Sequence, residues 1–572
     1  MKVSDFIADF LKRKGIESVF ELSGGMITHI LDSLNQTTDI KIITMHHEQA
    51  AAFAAEGYAR ITGLPGVALA TSGPGATNLL TGIGSCFFDS TPAVFITGQV
   101  NRHEQKGERE IRQLGFQETD IVAMARPITK ACFLVNDPEE IENVFEEAFK
   151  IACEGRPGPV LIDIPMDVQR FQIEPKTPLK LITPDEIITP ELINDLIEAI
   201  HIAKRPLILA GRGIKAGKSQ DLFNKFVAKT NVPVITTLLG LDTISFDDPL
   251  RVGFIGSYGN RWANIAFGEC DLLIVLGSRL DIRQTGADTK FIENRKIYHI
   301  DCESGEINNR VKGCVPILAD LKAFFQQFLY IASVVDFSVP KEWLTQINDL
   351  KGTWPDINEL TPVGINPNKF MHSLSKDGQK ASVYLADVGS HQMWAAQSLE
   401  ISKDQHFLTS GGMGAMGFSL PAGIGACVAL HKKPVVVIIG DGCMQINIQE
   451  LQTIVRNKLP VKIIVLNNKT LGMIRQFQDS YFESRYQSTY WGYDAPDFSK
   501  VAVAYGIDAL TITENKEIDL ACKWLWNDEN QDKPQLLQVM IDPHTNTYPK
   551  IAFGKPITEM EPFAKPIEME GT

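Results

Sequence analysis

Short apolar runs rich in β-branched residues alternate along the chain with segments of helical spacing. From the N-terminus we predict a helix beginning at Val3, the strand SVF, a helix through Leu34 and the strand IKIITM. An Ala-rich helix and the strand GVALAT follow. Such alternation is typical of a parallel sheet with helices on both faces. The pattern therefore predicts an α/β protein of doubly wound parallel-sheet domains.

The alternation recurs in three blocks, as a chain of 572 residues leads us to expect. We predict an N-terminal domain over 1–170, a proline-rich linker over 171–184, a central domain over 185–332, a C-terminal domain over 365–545 and a tail over 546–572. The first and third blocks are predicted to share one topology. The tail has four prolines and several apolar residues. It is predicted either as a disordered end or as an ordered arm over the active-site mouth or a neighbouring subunit.

Two strands of the third block, VVVII and VKIIVL, flank a helical segment, and each strand ends in polar residues. Asp441 follows the first strand between two glycines, and Asn468 and Thr470 follow the second. Ligands of a βαβ unit bind beyond the carboxyl ends of its strands, so both groups are expected to face one site. A carboxylate, an amide oxygen and a main-chain carbonyl suit Mg²⁺. The flanking Gly440 and Gly442 let the backbone approach a diphosphate, and Cys443 and Met444 begin a helix whose free amides favour an anion.

Asp441 and Asn468 at this spacing form the thiamine diphosphate motif, although either group alone could be a turn or a cap. The chain resembles thiamine diphosphate-dependent enzymes, most closely the acetolactate synthase (acetohydroxyacid synthase) group. The stretch MHHEQAAAFAAEGYARITGLPGVALATSGPGATN carries the same resemblance. It implies that Glu48 is the catalytic acid beside N1′ of the aminopyrimidine, where proton transfer activates the cofactor. The ordinary alternative for Glu48 is a carboxylate stabilised by a helix dipole.

The resemblance assigns further residues to the site. The expected catalytic residues are Glu48, Gly25 and Gln117. The expected thiamine diphosphate contacts are Pro74, Asn78, Gly389, Ser390, His391, Gly414, Met416, Gly442 and Cys443. The residues expected to line the substrate pocket are Phe116, Arg279, Met473 and Phe477. In the family, the methionine is the apolar wedge that bends the cofactor.

The resemblance also implies that the central domain binds FAD, which takes no redox part in the family's reaction. LGSRLDIRQTG is similar to the FAD-contacting segment and contains Arg279, Asp281 and Arg283, while Asp301 follows a later strand. GRGIKAG at 211–217 looks like a dinucleotide fingerprint but lacks its full spacing.

Composition and the first residues of the chain indicate which binding partners and which cellular compartment to expect. A net charge of −14 argues against nucleic acid or an anionic membrane as partner. The first 21 residues read as neither a signal peptide nor a membrane span, so we expect a cytoplasmic protein. The nine cysteines are scattered without C-x-x-C spacing and are expected to be reduced.

The implied function is a carboligase that uses thiamine diphosphate, Mg²⁺ and a bound FAD. It would decarboxylate a 2-oxo acid, pyruvate first of all, and transfer the two-carbon unit to an acceptor carbonyl. With a second pyruvate the product would be 2-acetolactate, and the arginine at 279 would engage the acceptor's carboxylate. Phe477 replaces the family's usual tryptophan, which predicts little preference for 2-oxobutyrate. The family's sites combine two subunits, so at least a homodimer is expected; the need for a regulatory subunit stays open.

One alternative acceptor is a nucleotide-linked keto sugar of surface polysaccharide synthesis. A basic and aromatic run around Phe477 would suit it, although most of that run is expected to be packing. Its members are Arg475, Tyr481, Phe482, Arg485, Tyr486, Tyr490, Trp491 and Tyr493. A regulatory subunit without activity is disfavoured because Glu48 and the metal-site positions are all filled. An NAD-dependent dehydrogenase would leave the Asp441 and Asn468 pair unexplained.

Overall fold

The computed structural model describes residues 1–174, 188–286, 291, 293, 295–378 and 380–567. Most of the predicted linker, from 175 onward, and residues 568–572 of the tail lie outside these ranges. Among the described residues, no helix combines the length and the apolar composition that a membrane crossing requires.

The first sheet is parallel, and its strands are the continuous apolar runs that predicted it. Its strands are β1 (Ser18–Leu22), β2 (Lys41–Thr44), β3 (Gly66–Ala70), β4 (Ala93–Gln99), β5 (Ala131–Leu134) and β6 (Pro159–Pro165), in the order β2-β1-β3-β4-β6-β5. Its helices are α1 (Val3–Arg13), α2 (Thr28–Thr37), α3 (Glu48–Thr62), α4 (Pro74–Asn78), α5 (Leu80–Phe88), α6 (Ile121–Ala125), α7 (Ile141–Cys153) and α8 (Met166–Gln169).

The central sheet has the strand order of dinucleotide-binding folds. Its strands are β7 (Pro206–Ala210), β8 (Val234–Thr236), β9 (Arg251–Phe254), β10 (Leu272–Leu276), β11 (Lys296–Asp301) and β12 (Val315–Leu318), in the order β12-β11-β10-β7-β8-β9. Its helices are α9 (Pro190–Ile202), α10 (Gly213–Ala216), α11 (Gln220–Thr230), α12 (Arg261–Glu269), α13 (Ile282–Thr285) and α14 (Leu321–Ile331), and α15 (Lys341–Thr353) leads to the third domain. The order reverses between β7 and β10, which is where such folds bind ligands.

The third sheet repeats the strand order of the first, so the predicted shared topology is confirmed. Its strands are β13 (Val383–Ala386), β14 (His406–Leu408), β15 (Val435–Gly440), β16 (Val461–Asn467), β17 (Asp508–Ile512) and β18 (Gln535–Met540), in the order β14-β13-β15-β16-β18-β17. Its helices are α16 (Pro367–Asp377), α17 (Ser390–Ser398), α18 (Ser419–Ala429), α19 (Asp441–Ile446), α20 (Glu450–Asn457), α21 (Gly472–Tyr481), α22 (Phe498–Ala504) and α23 (Ile518–Trp526).

The segment between β15 and β16 departs from the single helix that its spacing predicted. It forms two helices, α19 and α20, separated by residues 447–449. The buried side chain of Asn447 donates to the carbonyl oxygen of Gly417 at 2.8 Å and to Gln49 Oε1 at 3.3 Å. These contacts with other parts of the chain explain why the helix breaks there.

The tail is an ordered arm as far as residue 567. It forms the short antiparallel hairpin β19 (Lys550–Ile551) and β20 (Met560–Glu561). Arg261 on α12 donates to the carbonyl oxygen of Glu561 at 2.9 Å, and the amide of Ile551 donates to the carbonyl of Ser257 at 2.8 Å. The ring of Phe553 lies 6.2 Å from that of Tyr481 on α21. The arm therefore packs between the central domain and the helix that carries Phe477.

The first and third domains meet where α3 and α18 cross at backbone contact. A Cβ at Gly57 would lie 2.1 Å from the carbonyl oxygen of Ala422, and one at Gly425 would lie 1.8 Å from that of Ala54. Neither position has room for any side chain. Because Glu48 is the first residue of α3, this crossing fixes where the glutamate lies relative to the third domain.

We expect the substitution Gly425→Ala to destabilise the chain, because the added methyl group would meet a backbone oxygen that cannot move aside. Overpacking of this kind costs about 1–3 kcal/mol, which thermal unfolding would show as a lower midpoint. Gly352→Ala is the matched control, since Gly352 is exposed on α15 and has open space where a Cβ would lie. Equal midpoints for the two variants would contradict the close crossing.

Candidate active site

Three of the predicted residues of the first domain come together at the start of α3. Glu48 is largely buried, and Asn78 on α4 donates to its Oε2 at 2.9 Å. Pro74 begins α4. A Cβ at Gly75 would lie 3.3 Å from Glu48 Oε1, so the backbone of α4 passes close to the carboxylate. The α3 and α4 helices thus present Glu48 and Asn78 side by side.

Gln117 joins this group through an unusual backbone conformation. Its φ is +67°, and its side chain lies against Gly73, where a Cβ would be 3.0 Å from Gln117 Cβ. Gly25 opens a short helical turn after β1 and has open space where a side chain would lie. The neighbouring Phe116 is 81% exposed, so its ring faces outward from this chain.

The diphosphate residues predicted in the third domain meet at the carboxyl ends of β13 and β15, where the strand order of that sheet reverses. Gly389 precedes α17, and Ser390 and His391 begin it. His391 Nε2 accepts a hydrogen bond from the amide of Gly440 at 3.2 Å. Burial lowers the pKa of His391 to about 3, so its imidazole is neutral.

Asp441 lies at the same edge of the sheet, and only one of its two carboxylate oxygens accepts a hydrogen bond of normal geometry. Its Oδ1 accepts from the Gly442 amide at 3.0 Å, while Oδ2 is buried and has no hydrogen-bond partner in the described part of the chain. Burial raises the pKa of Asp441 to about 7. On the adjacent strand β16, the amide of Thr470 donates to Asn468 Oδ1 at 3.3 Å. A buried carboxylate oxygen without a partner is costly, which makes this corner suited to a cation.

Met416 lies against the turn that carries Asp441. A Cβ at Gly442 would be 3.3 Å from Met416 Cε, and Gly414 just before it has a φ of +65° that favours glycine. The Cys443 thiol donates to the carbonyl of Val388 at 3.1 Å. The predicted wedge and the diphosphate turn therefore form one packed unit.

A buried cluster of Asp387, His391 and Cys443 has the composition of a metal site, but its groups are already in use. The Asp387 carboxylate accepts from the amides of Gly417 at 2.9 Å and Ser419 at 2.7 Å. With the contacts of His391 and Cys443 given above, the cluster is a hydrogen-bonded support for the turn. It leaves no ligand atom free for a metal.

The central domain contains a cavity of about 420 Å³ where its strand order reverses. All four residues predicted to contact FAD line it, namely Arg279, Asp281, Arg283 and Asp301. Sequence reasoning missed Arg156 and Arg212, which also line it, although Arg212 belongs to the GRGIKAG stretch. The opposite wall is the loop 410–414 of the third domain. The cavity therefore joins the central domain to the segment that leads to Met416.

The predicted substrate residues do not all share this cavity. Arg279 lines it and lies 3.3 Å from Asp281, whereas Met473 and Phe477 on α21 are not among its lining residues. The ring of Phe477 is partly exposed and lies 4.7 Å from that of Tyr481. The structure thus places Arg279 in the lining of the central cavity, together with Asp281, Arg283 and Asp301.

The glutamate and the predicted metal residues remain in separate groups within one chain. The hydrogen bonds described for the Glu48 side chain join it to Asn78 and to no residue of the third domain. The nearest link is through the next residue, Gln49, which accepts from Asn447 at 3.3 Å.

Sequence profiles of thiamine pyrophosphate enzymes match all three domains. The N-terminal TPP binding domain matches residues 1–124, the central domain 193–328 and the C-terminal TPP binding domain 387–539. The acetolactate synthase large subunit of Lactococcus lactis subsp. lactis (strain IL1403) is 36% identical, over 97% of this chain and 95% of its own length. The acetolactate synthase isozyme 2 large subunit of Escherichia coli (strain K12) is 36% identical, over 98% and 99%. Acetolactate synthase 2, chloroplastic, of Nicotiana tabacum is 38% identical, over 97% and 84%.

The chain belongs to the acetolactate synthase family of thiamine diphosphate-dependent enzymes. Relatives with this name come from bacteria, plants and a red alga, and related archaeal chains are named probable acetolactate synthases. The family membership and the fold inferred from the sequence are thereby confirmed, and thiamine diphosphate is a cofactor of this acetolactate synthase-type carboligase.

A buried ion cluster that sequence reasoning missed holds the loop leading to Met416. Arg60 on α3 donates to Asp89 Oδ2 at 2.7 Å, to Glu56 and, at 2.7 Å, to the carbonyl of Thr409. Asp89 in turn accepts from the amides of Gly411 at 2.9 Å and Gly412 at 2.6 Å. The only sequence signal was the presence of charged residues inside two apolar segments, Glu56 and Arg60 in AAEGYARI and Asp89 in CFFDSTP. The cluster ties the first domain to a loop of the third.

We expect Asp89→Asn to weaken thiamine diphosphate binding. The amide side chain keeps one acceptor oxygen for two backbone amides and leaves Arg60 with one carboxylate, so the loop 409–416 loses its fixed position. Removing one partner of a buried pair costs about 3–5 kcal/mol of folding stability. We expect part of that loss to show as a roughly tenfold rise in the Kd for thiamine diphosphate. Fluorescence titration in the presence of Mg²⁺ measures it.

Asp356→Asn is the matched control, because Asp356 is also a buried carboxylate but bonds to His372 and Ser398 instead of the loop. It should unfold more easily while binding the cofactor normally. Equal cofactor affinity in the two variants would contradict the positioning role of Asp89.

Proposed function

We propose that this chain condenses two molecules of pyruvate to 2-acetolactate with release of CO₂, and that Glu48 supplies the acid–base group. The observation that carries the proposal is the match over nearly the whole chain to relatives named acetolactate synthase. The retention of Glu48, Asp441 and Asn468 at their motif positions supports it. In balance, two pyruvate anions and one proton give one acetolactate anion and CO₂.

Mg²⁺ fits the corner formed by Asp441, Asn468 and Thr470. The free Oδ2 of Asp441 is the charged ligand, and a cation there would offset the cost of burying the carboxylate. Asn468 would contribute its amide oxygen and Thr470 its main-chain carbonyl. Gly389, Ser390, His391, Gly442 and Cys443 would then hold the diphosphate, with the buried and unpartnered hydroxyl of Ser390 as a donor.

FAD fits the cavity of the central domain. Gly213 and Gly277 line it and approach so closely that a Cβ on the first would lie 2.6 Å from the Cα of the second, as in the tight glycine turns of dinucleotide-binding folds. Arg156 and Arg212 line the cavity and add positive charge. Burial, followed by the charge of Arg60, lowers the pKa of Arg212 only to about 10, so it stays cationic. We propose that FAD binds there without a redox role.

Thiamine diphosphate, when bound, would supply a nucleophilic carbon and an electron sink for the decarboxylation of a 2-oxo acid. Glu48 would hold and exchange the proton at N1′ of the aminopyrimidine. Asn78 donates to the Glu48 carboxylate and so fixes its orientation. Gly414 and Met416 would hold and bend the cofactor, and Gly25, Pro74 and Gln117 would surround the reacting centre.

The acceptor is proposed to be a second pyruvate. Phe116, Arg279, Met473 and Phe477 are the proposed pocket residues, and the relatives' names favour a 2-oxo acid over a nucleotide-linked keto sugar. The keto-sugar alternative relied on a basic and aromatic run that includes Arg475. This side chain is buried and bonded to Asp479 and Asn546, which weakens that alternative.

We further propose that the active unit is at least a homodimer. The side chain of Glu48 contacts no metal-site residue of its own chain among the described hydrogen bonds, and Phe116 faces outward. Both features are expected if each site combines the first domain of one chain with the third domain of another. Some relatives are named large subunits, so the purified chain should be assayed both alone and with any smaller partner.

Purified chain supplied with thiamine diphosphate, Mg²⁺ and FAD should form 2-acetolactate from pyruvate alone, with little preference for 2-oxobutyrate as acceptor. Mass spectrometry of the products measures both. The Asp441→Ala variant is the negative control, because it removes the only charged metal ligand proposed. If pyruvate is consumed only after a nucleotide-linked keto sugar is added, the acetolactate assignment fails.

Glu48→Gln should bind thiamine diphosphate and Mg²⁺ with near-normal affinity but lose turnover on the order of 100-fold, the usual size of an acid–base contribution. Calorimetry measures the binding and the acetolactate assay the rate. Near-normal turnover would rule out the role of Glu48.

Mixing Glu48→Gln chains with Asp441→Ala chains extends the same experiment to the proposed dimer. Subunit exchange should restore part of the activity, because some sites would then combine an intact Glu48 with an intact Asp441. An absence of recovery after demonstrated exchange would contradict shared sites.

A further inference from the structure

Two buried polar groups of complementary chemistry stand beside each other at the proposed metal corner. Asp441 Oδ2 and the hydroxyl of Tyr493 both lack a hydrogen bond of normal geometry among the described residues. Burial raises the pKa of the carboxyl, although the two groups lie close enough for the phenol to lower that pKa in part. They share one corner, because a Cβ at Gly442 would lie 3.2 Å from the Tyr493 hydroxyl oxygen. Most buried side-chain polar atoms have a partner. The phenol and the carboxylate oxygen therefore face one another without a well-formed hydrogen bond, and both are available to a ligand.

Tyr493 is held in place from both sides by the loop that follows β16. The carbonyl of Thr489, four residues earlier, accepts from the hydroxyl of Thr470 at 2.8 Å. Asp494, the next residue, lies 3.6 Å from the ammonium group of Lys469. The tyrosine is thus attached to the same loop that presents the proposed metal ligands, and its position is coupled to theirs.

The Tyr493 hydroxyl is a hydrogen-bond donor at neutral pH. Burial and the charge of Asp441 both raise the pKa of the phenol, so it keeps its proton. A cation on Asp441 Oδ2 would repel that hydrogen and leave it without an acceptor on the carboxylate side. The diphosphate is the group that brings anionic oxygens to this corner together with the cation.

We infer that the Tyr493 hydroxyl donates a hydrogen bond to the diphosphate of the bound cofactor, beside the cation on Asp441. The inference rests on the proposed Mg²⁺ and thiamine diphosphate site. It adds a binding residue that lies well beyond the Asp441 and Asn468 motif and comes from the segment after α21. Tyr493 serves to bind the cofactor and takes no part in proton transfer.

The test compares Tyr493→Phe with Tyr490→Phe by calorimetry, with thiamine diphosphate and with inorganic pyrophosphate, each in the presence of Mg²⁺. Tyr490 is the matched control, because it lies in the same segment and is 40% exposed, with its ring 6.2 Å from that of Tyr486. We expect Tyr493→Phe to bind both ligands about tenfold more weakly, the loss of one hydrogen bond to a charged group. Tyr490→Phe should bind both normally, and the ligand-free melting temperature of Tyr493→Phe should equal that of the wild type.

Three results would overturn the inference. If Tyr493→Phe bound both ligands with wild-type affinity, the proposed hydrogen bond to the diphosphate would be ruled out. Weaker binding of thiamine diphosphate alone would place the contact away from the diphosphate, and a lower ligand-free melting temperature would assign the loss to folding. Asp441→Ala separates this inference from the proposed function: if that variant binds normally, the metal site itself is wrong, whereas its failure to bind alongside a normal Tyr493→Phe rejects only the role of Tyr493.

Discussion

The guanidinium group of Arg60 is the point on which the arrangement of the three domains depends. It is almost completely buried and donates to Glu56 and Asp89 in its own domain and to the carbonyl of Thr409 in the third. Burial alone would lower its pKa, but the charges of the two carboxylates raise it. Arg212 of the central domain lies near enough to feel the same charges. Removing any one of these partners is expected to destabilise the fold, because a charged or polar group would then be buried without its partner.

The loop held by this cluster serves two sites at once. Residues 410–414 form one wall of the central cavity, and Met416, just beyond them, packs on the turn of Gly442. The amides of Gly411 and Gly412 are fixed by Asp89, so the loop cannot shift toward one site without disturbing the other. The central cavity and the thiamine site are therefore linked by a short piece of backbone.

Hydrogen bonds within the chain hold the corner at the carboxyl ends of β13 and β15. Asp387 accepts from the amides of Gly417 and Ser419, and the neutral ring of His391 accepts from the amide of Gly440. These contacts engage Asp387 and His391, whereas Asp441 Oδ2 is buried and has no hydrogen bond of normal geometry among the described residues. Burying such an oxygen costs stability, which the proposed cation would offset.

Local pattern in the sequence determined the α/β class, the topology shared by the first and third domains, and the placing of Glu48 at a helix start and of Asp441 and Asn468 at adjacent strand ends. Those features repeat with the period of strands and helices, so neighbouring residues suffice to reveal them. Only the tertiary structure decided that the helix after Asp441 breaks at 447–449, that the tail is an ordered arm, that Arg279 lines the central cavity, and that Tyr493 lies beside Asp441. Each depends on contacts between residues far apart in the chain, such as Asn447 with Gly417 or Asp89 with Gly411. The sequence records the residue types at both ends of such a contact, but only packing selects which two of them meet.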